Sequence, residues 1–179
     1  FLMMLYVVDA MGGPTAFQRL IADTAKGAQG IVNLALNPEP SATPIGTTFS
    51  DIFANFSAAA TLDSNQLGLG FSNIDLAFGC STTVCRVQYS GFNDTWSQMA
   101  TSGVQEIEGW GIRAYRYTGG TGAQLSIRVQ PSESGFRGSL LERDSSTGTW
   151  SISEMVVDPA TSDLLALVDS FGGETDDVW

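Results

Sequence analysis

Leu125-Ser126-Ile127-Arg128-Val129-Gln130 alternates apolar and polar residues one by one. Successive side chains of a strand point to opposite faces. Leu125, Ile127 and Val129 therefore make a dry face, and Ser126, Arg128 and Gln130 a wet one. This period of two predicts a half-buried strand in a sheet covered on one side. Gly119-Gly120-Thr121-Gly122 before it and Ser132 to Gly135 after it are turn signals. Lying between strands, these glycines read as a hairpin turn and not as a phosphate-binding loop.

The same pattern extends outward. Trp150 and Ile152 alternate with Ser151 and Ser153, and 136–142, 106–117 and 164–168 also read as strands. Asp144 to Gly148 and Asp158-Pro159 mark further turns. Asp176-Asp177-Val178-Trp179 looks like the start of another strand. Short strands at this spacing predict an antiparallel β-sandwich or a barrel over 65–179, and the sandwich is the expectation adopted.

Upstream the period changes to that of a helix. Phe1, Leu2, Leu5, Val8 and Met11 recur at helical spacing, with Met4 and Tyr6 widening the apolar face. Gly12-Gly13-Pro14 breaks the chain, because glycine suits a helix C-terminus and proline the first turn of the next helix. A second helix is expected from Pro14 to about Ala25, with Phe17, Leu20, Ile21 and Thr24 inward and Gly27 at its end. One or two turns around Ile31, Leu34 and Leu36 follow. Pro38, Pro40 and Pro44 predict a loop. Thr48 with Asp51 three residues on forms a capping box for a helix burying Phe49, Ile52, Phe53, Phe56 and Ala60. The fold class expected is α+β: a helical segment over 1–64 packed against the sandwich. Asp63 to Gln66 is too short for a flexible tether.

Composition bounds the chemistry. The chain has 179 residues, 43% of them hydrophobic, enough to bury a core. Eight basic residues face nineteen acidic ones, for a net charge of −11. Such a field repels phosphate backbones and speaks against nucleic-acid partners. No window approaches the ~18 apolar residues of a membrane-spanning helix. Cys80 and Cys85 are the only cysteines. A local disulfide is expected if the protein is extracellular, and two free buried thiols are the alternative. Asn55-Phe56-Ser57 and Asn93-Asp94-Thr95 are N-glycosylation sequons, permissive for glycans on Asn55 and Asn93 in a secretory setting.

The chain contains no histidine. Ser-His-Asp and Cys-His arrangements, histidine-ligated zinc and HExxH are therefore excluded within it. We assign no catalytic and no metal-ligating residue. Asp9, Asp23, Asp51 and Asp63 read as caps and solvated faces, and Glu106 and Glu108 as one exposed strand face. Asp169, Glu174, Asp176 and Asp177 offer oxygens that suit calcium but lack the spacing of a calcium loop. Trp96, Trp110, Trp150 and Trp179 suit either a sugar-binding platform or a sandwich core.

The helical part also resembles a known pattern. Phe1-Leu2-Met3-Met4-Leu5-Tyr6, Asp9, Gly12-Gly13-Pro14, Phe17 and Leu20 are similar to the helix pair downstream of the active site in hyicolysin-like and immune-inhibitor-like secreted zinc metallopeptidases. Gly30-Ile31 and Thr48-Phe49-Ser50-Asp51-Ile52-Phe53-Ala54-Asn55-Phe56 extend the likeness. Leu69-Gly70-Phe71-Ser72-Asn73-Ile74-Asp75-Leu76 resembles the crossover into a C-terminal β domain, where Tyr115 to Gly120 and Leu141-Glu142-Arg143 also match. The HExxH helix and the downstream glutamate ligand of those families have no counterpart here. The resemblance implies the C-terminal, non-catalytic portion of such a protein, extracellular or at the cell surface. Zinc is expected only in an upstream region, and the partner is that catalytic segment or another copy of the chain. Phe1 opens in mid-helix without an N-cap, so a longer precursor with a signal peptide and a zinc-peptidase motif is the expectation. The alternative is an extracellular structural, filament or cell-surface binding module without enzymatic activity. A carbohydrate-binding sandwich is a third reading.

Overall fold

A computed structural model describes residues 2–62, 71, 92–95 and 111–179, with 92–95 described for backbone alone. The fold is α+β. Its helices lie in one compact unit, Phe1–Gln88, and its sheet in another, Tyr89–Trp179.

The helical unit is built from α1 (Leu2–Ala10), α2 (Pro14–Ala22), α3 (Ala28–Leu36) and α4 (Phe49–Leu62). Gly13 precedes α2 at φ 66° and Pro14 opens it, the arrangement that Gly12-Gly13-Pro14 predicts. Helix α2 stops three residues short of the expected Ala25. Asp23 takes an extended backbone there, and its Oδ1 accepts the Ala25 amide at 2.8 Å. A short acidic side chain has offered the backbone a local alternative to the helix. Gly27 does not end α2; it is the N-cap of α3, which runs a full nine residues.

The capping box at α4 forms reciprocally. Thr48 Oγ1 accepts the Asp51 amide at 3.2 Å, and Asp51 Oδ2 accepts the Thr48 amide at 3.2 Å. Gly46, at φ 111°, lets the incoming chain press on this turn: a Cβ there would lie 2.6 Å from that of Asp51. The apolar faces of the helices meet in a core of Tyr6, Val7, Met11, Ile31, Leu34, Ile45, Ile52, Phe56 and Phe71. The Tyr6 ring lies 5.9 Å from that of Phe56 and 5.8 Å from that of Phe71, tilted and edge-on. Such geometries suit aromatic quadrupoles. Burial pushes the Tyr6 phenol up to about 12.

The β unit contains β1 (Phe92–Thr95), β2 (Tyr115–Thr118), β3 (Ala123–Val129), β4 (Ser139–Asp144), β5 (Trp150–Glu154), β6 (Val156–Val157), β7 (Leu164–Phe171) and β8 (Thr175–Val178). One arm of the sheet runs β1-β2-β8-β4-β5, and β7 carries β3 and β6 as a second arm. The arms share one apolar cluster. Leu125, Val168 and Phe171 come from one side, Leu140 and Val178 from the other, with Tyr117, Ile127 and Ala166 packed around them. Both arms of the one sheet therefore contribute to a single apolar core.

Pairing is antiparallel except that β1 runs parallel to β2, and β7 and β8 share a single parallel register pair at Phe171 and Thr175. The sheet is therefore mixed where the alternation alone suggests a purely antiparallel one. The connection of residues 96–114 is long enough for a parallel crossover. The terminal stretch is not a peripheral strand: β8 lies between β2 and β4. Gly120 and Gly172 make a close backbone crossing beside it. A Cβ on Gly120 would come within 2.3 Å of the Phe171 carbonyl oxygen, so only glycine fits.

Candidate interaction surfaces

Alternation along β4 and β8 gives each strand two different faces. Leu140 and Val178 point into the cluster. Leu141, Arg143, Asp177 and Trp179 fall on the opposite, outer face, where the Leu141 and Trp179 backbones exchange hydrogen bonds of 2.8 and 2.9 Å. Arg116 on β2 reaches the same face. Its Nε and Nη2 donate to the two Asp177 oxygens at 2.9 and 2.6 Å. Its guanidinium also lies 5.1 Å from the Trp179 ring centroid. Asp177 is only 6% exposed, so a paired, bidentate cation is what allows that carboxylate to be buried. The pair raises Arg116 above its ordinary range.

This ensemble is the nearest approach to the tryptophan platform. Trp150 and Trp179 are both half-buried, and Trp179 gives one ring face to Arg116. Trp96 and Trp110 lie outside the described residues. So do Cys80 and Cys85, and with them the disulfide. Asn93 lies on β1 in register with Arg116. Asn55 sits within α4, half-buried, and its Nδ2 donates to the Ile45 carbonyl at 3.1 Å. That nitrogen is the atom a glycan would occupy.

Of the acidic tail, Asp177 is paired with Arg116 and Asp169 accepts from Gln124 Nε2 at 2.7 Å. Among the described residues, no group of three or more carboxylate, thiol or imidazole side chains could hold a metal ion. Among them, too, no helix is long and apolar enough to cross a membrane. Several carboxylates are occupied in turns. Asp144 is held down to about 2 by Ser146 and Thr147, whose hydroxyls and amides donate to it. Burial would raise Asp163, but hydrogen bonds from Arg128 and Thr161 bring it below the usual carboxylate range.

Among the described residues, exposed apolar side chains stand on β6, β7 and α2, and a polar groove lies beside α2. On the edge strand β6, Val156 is 68% exposed and Val157 54%; Leu167 on β7 is 55% exposed. On α2, Phe17 and Ile21 stand one turn apart and are 49% and 65% exposed. The sequence assigns both to an inner stripe, yet within this unit Ala16 is the buried residue of the helix. Beside α2, Arg19, Asp23, Asn33 and Asn37 line an open groove of about 400 Å³. Its polar groups already satisfy one another: Arg19 donates to Glu39 Oε1 at 2.9 Å and to the Asn37 carbonyl, and Asn33 Nδ2 donates to Asp23 Oδ2 at 3.1 Å.

No family model, curated protein or solved structure matches this chain.

Proposed function

We propose that this chain is the non-catalytic C-terminal portion of an extracellular zinc-metallopeptidase-like protein. In this reading the helices buttress an upstream catalytic segment that holds the zinc, and the β unit serves attachment or substrate capture. The supporting observation is the face of α2. The residues that carry the resemblance in 2–56 fall on α1, the Gly12-Gly13-Pro14 turn, α2, α3 and α4 of one unit, and that unit leaves Phe17 and Ile21 uncovered. Two large apolar side chains at helical spacing suit the upstream segment as their cover.

The test is direct. The gene upstream of Phe1 should encode an HExxH segment. Co-expressed with this chain, that segment should cleave casein in a zinc-dependent manner, and Phe17→Asp with Ile21→Asp should weaken the association. The chain alone, lacking histidine, should cleave nothing with or without zinc. Zinc-dependent cleavage by the contaminant-free chain would overturn the reading.

The second reading, a structural or cell-surface module without activity, draws on the edge strand β6, whose Val156 and Val157 are both exposed. Unpaired strand edges recruit further strands. A native N-terminus at Phe1, from a gene without HExxH, would favour it.

A further inference from the structure

One of the two glycosylation sequons lies inside a helix. Asn55-Phe56-Ser57 sits in α4 with at least one turn of helix on either side. Phe56 is 8% exposed and joins the core, and Asn55 and Ser57 beside it are half-buried. Both groups that define the sequon are engaged with the backbone. Asn55 Nδ2 donates to the Ile45 carbonyl at 3.1 Å, and Ser57 Oγ donates to the Phe53 carbonyl at 2.7 Å. Residues two apart on a helix do not share a face, so the amide and the hydroxyl also stand apart.

The Asn55 contact reaches ten residues back, to the connection that enters α4. Ile45 is 1% exposed, so its carbonyl is out of reach of water. Among the described residues, Asn55 Nδ2 is the donor that satisfies it. A buried carbonyl left without a donor costs free energy comparable to a lost hydrogen bond. The same connection is tied on its other side, where the Thr43 amide donates to the Ala10 carbonyl of α1 at 2.8 Å. Asn55 thus holds the 43–48 connection against α4 as Thr43 holds it against α1.

We propose that the Asn55 sequon is closed to glycosylation in the folded chain, and that Asn55 serves there as a clasp between α4 and the 43–48 connection. N-glycosylation joins the asparagine nitrogen to the anomeric carbon of a sugar. The bond from that carbon to the pyrophosphate of the lipid-linked donor breaks, and one amide proton leaves to a base of the transferase. The reaction needs an exposed segment that presents amide and hydroxyl together, as a surface loop does. In α4 the nitrogen faces the Ile45 carbonyl and the hydroxyl faces the helix backbone. The capping box at Thr48 and Asp51 anchors the start of that helix. The closure follows from this geometry and is independent of the peptidase reading.

The test offers a purified oligosaccharyltransferase with its lipid-linked donor to the folded full chain and to a synthetic peptide of residues 50–60. Such a peptide is too short to hold a helix by itself. Peptide mapping by mass spectrometry reads Asn55 separately from Asn93. The peptide should be modified at Asn55 at least about tenfold faster than the folded chain. Equal rates would overturn the proposal. So would an inert peptide, because the sequon and not the fold would then refuse the sugar. Thermal melts of two variants test the clasp. Asn55→Gln and Ser57→Ala both delete the sequon, but only the first disturbs the Ile45 contact. Asn55→Gln should melt about 2 °C or more below Ser57→Ala, and failure of Asn55→Gln alone to fold is the same result at its extreme. A Ser57→Ala chain no more stable than Asn55→Gln would overturn the clasp.

Discussion

The helical unit and the β unit are stabilised over different distances along the chain. In the helical unit the hydrogen bonds that mark helix ends are local, Thr48 with Asp51 and Asp23 with Ala25, and even the side-chain bond from Arg19 to Glu39 spans only twenty residues. In the β unit the decisive pairs span long stretches. Arg116 finds Asp177 sixty-one residues on, and Arg128 finds Asp163 thirty-five residues on. Local signals set where helices start and stop. Non-local pairing sets which strand becomes central, and no stretch of sequence carries that by itself.

The comparison breaks first in the shared apolar cluster of the β unit. Phe171 is 1% exposed and joins β7 to the crossing of Gly120 with Gly172. Phe171→Ala should cost about 3–5 kcal/mol. Denaturant midpoints would register it, and a loss below about 1 kcal/mol would mean that the two arms do not depend on their shared core.

The helical core answers to alkali. Tyr6 titrates at about 12 in the folded state against about 10 in the unfolded chain. The neutral phenol is therefore favoured by folding. Its contribution is intact below pH 10 and is lost as pH rises from 10 to 12. The loss by pH 12 is on the order of 2 kcal/mol. Alkaline unfolding of Tyr6→Phe beside wild type should show the wild type losing ground over that window. Parallel curves would separate Tyr6 from the core.

The outer-face ion pair comes next. Asp177→Ala leaves Arg116 beside Trp179 without its carboxylate, and should cost about 2 kcal/mol. Arg116 is partly open to water, which limits the loss. A double-mutant cycle with Arg116→Ala should show strong non-additivity; additive losses would mean that the two residues act separately.

The smallest effect is the most local. Thr48→Ala removes one half of the capping box and should cost about 1 kcal/mol. Thermal melts should place it well below Phe171→Ala. A larger loss would mean that the start of α4 supports more than its own first turn.

How much was legible follows the same division. The turn at Gly12-Gly13-Pro14, the α4 capping box and the strand at Leu125 to Val129 are all formed as their residues indicate. The helix stop at Asp23 is missed because a propensity reading extends the apolar stripe past a residue whose side chain caps its own backbone. Strand β6 escapes notice because two valines are too few to establish a period, and β4 begins at Ser139, three residues after the expected Phe136. The Arg116–Asp177 pair leaves no sequence signal at all, since nothing about an arginine in a tyrosine-rich strand names its partner.

By itself the sequence determined the class: helices first, strands after, an acidic surface, and no imidazole for catalysis or metal binding. These are properties of period and composition, and each residue declares them alone. Only the tertiary structure decided that β8 lies inside the sheet, that Asp177 is buried against Arg116, and that the backbones of Gly120 and Gly172 cross closely. Those outcomes depend on register between distant strands. A shift of one residue in a ladder exchanges its two faces, and packing against the opposite arm selects which face is dry.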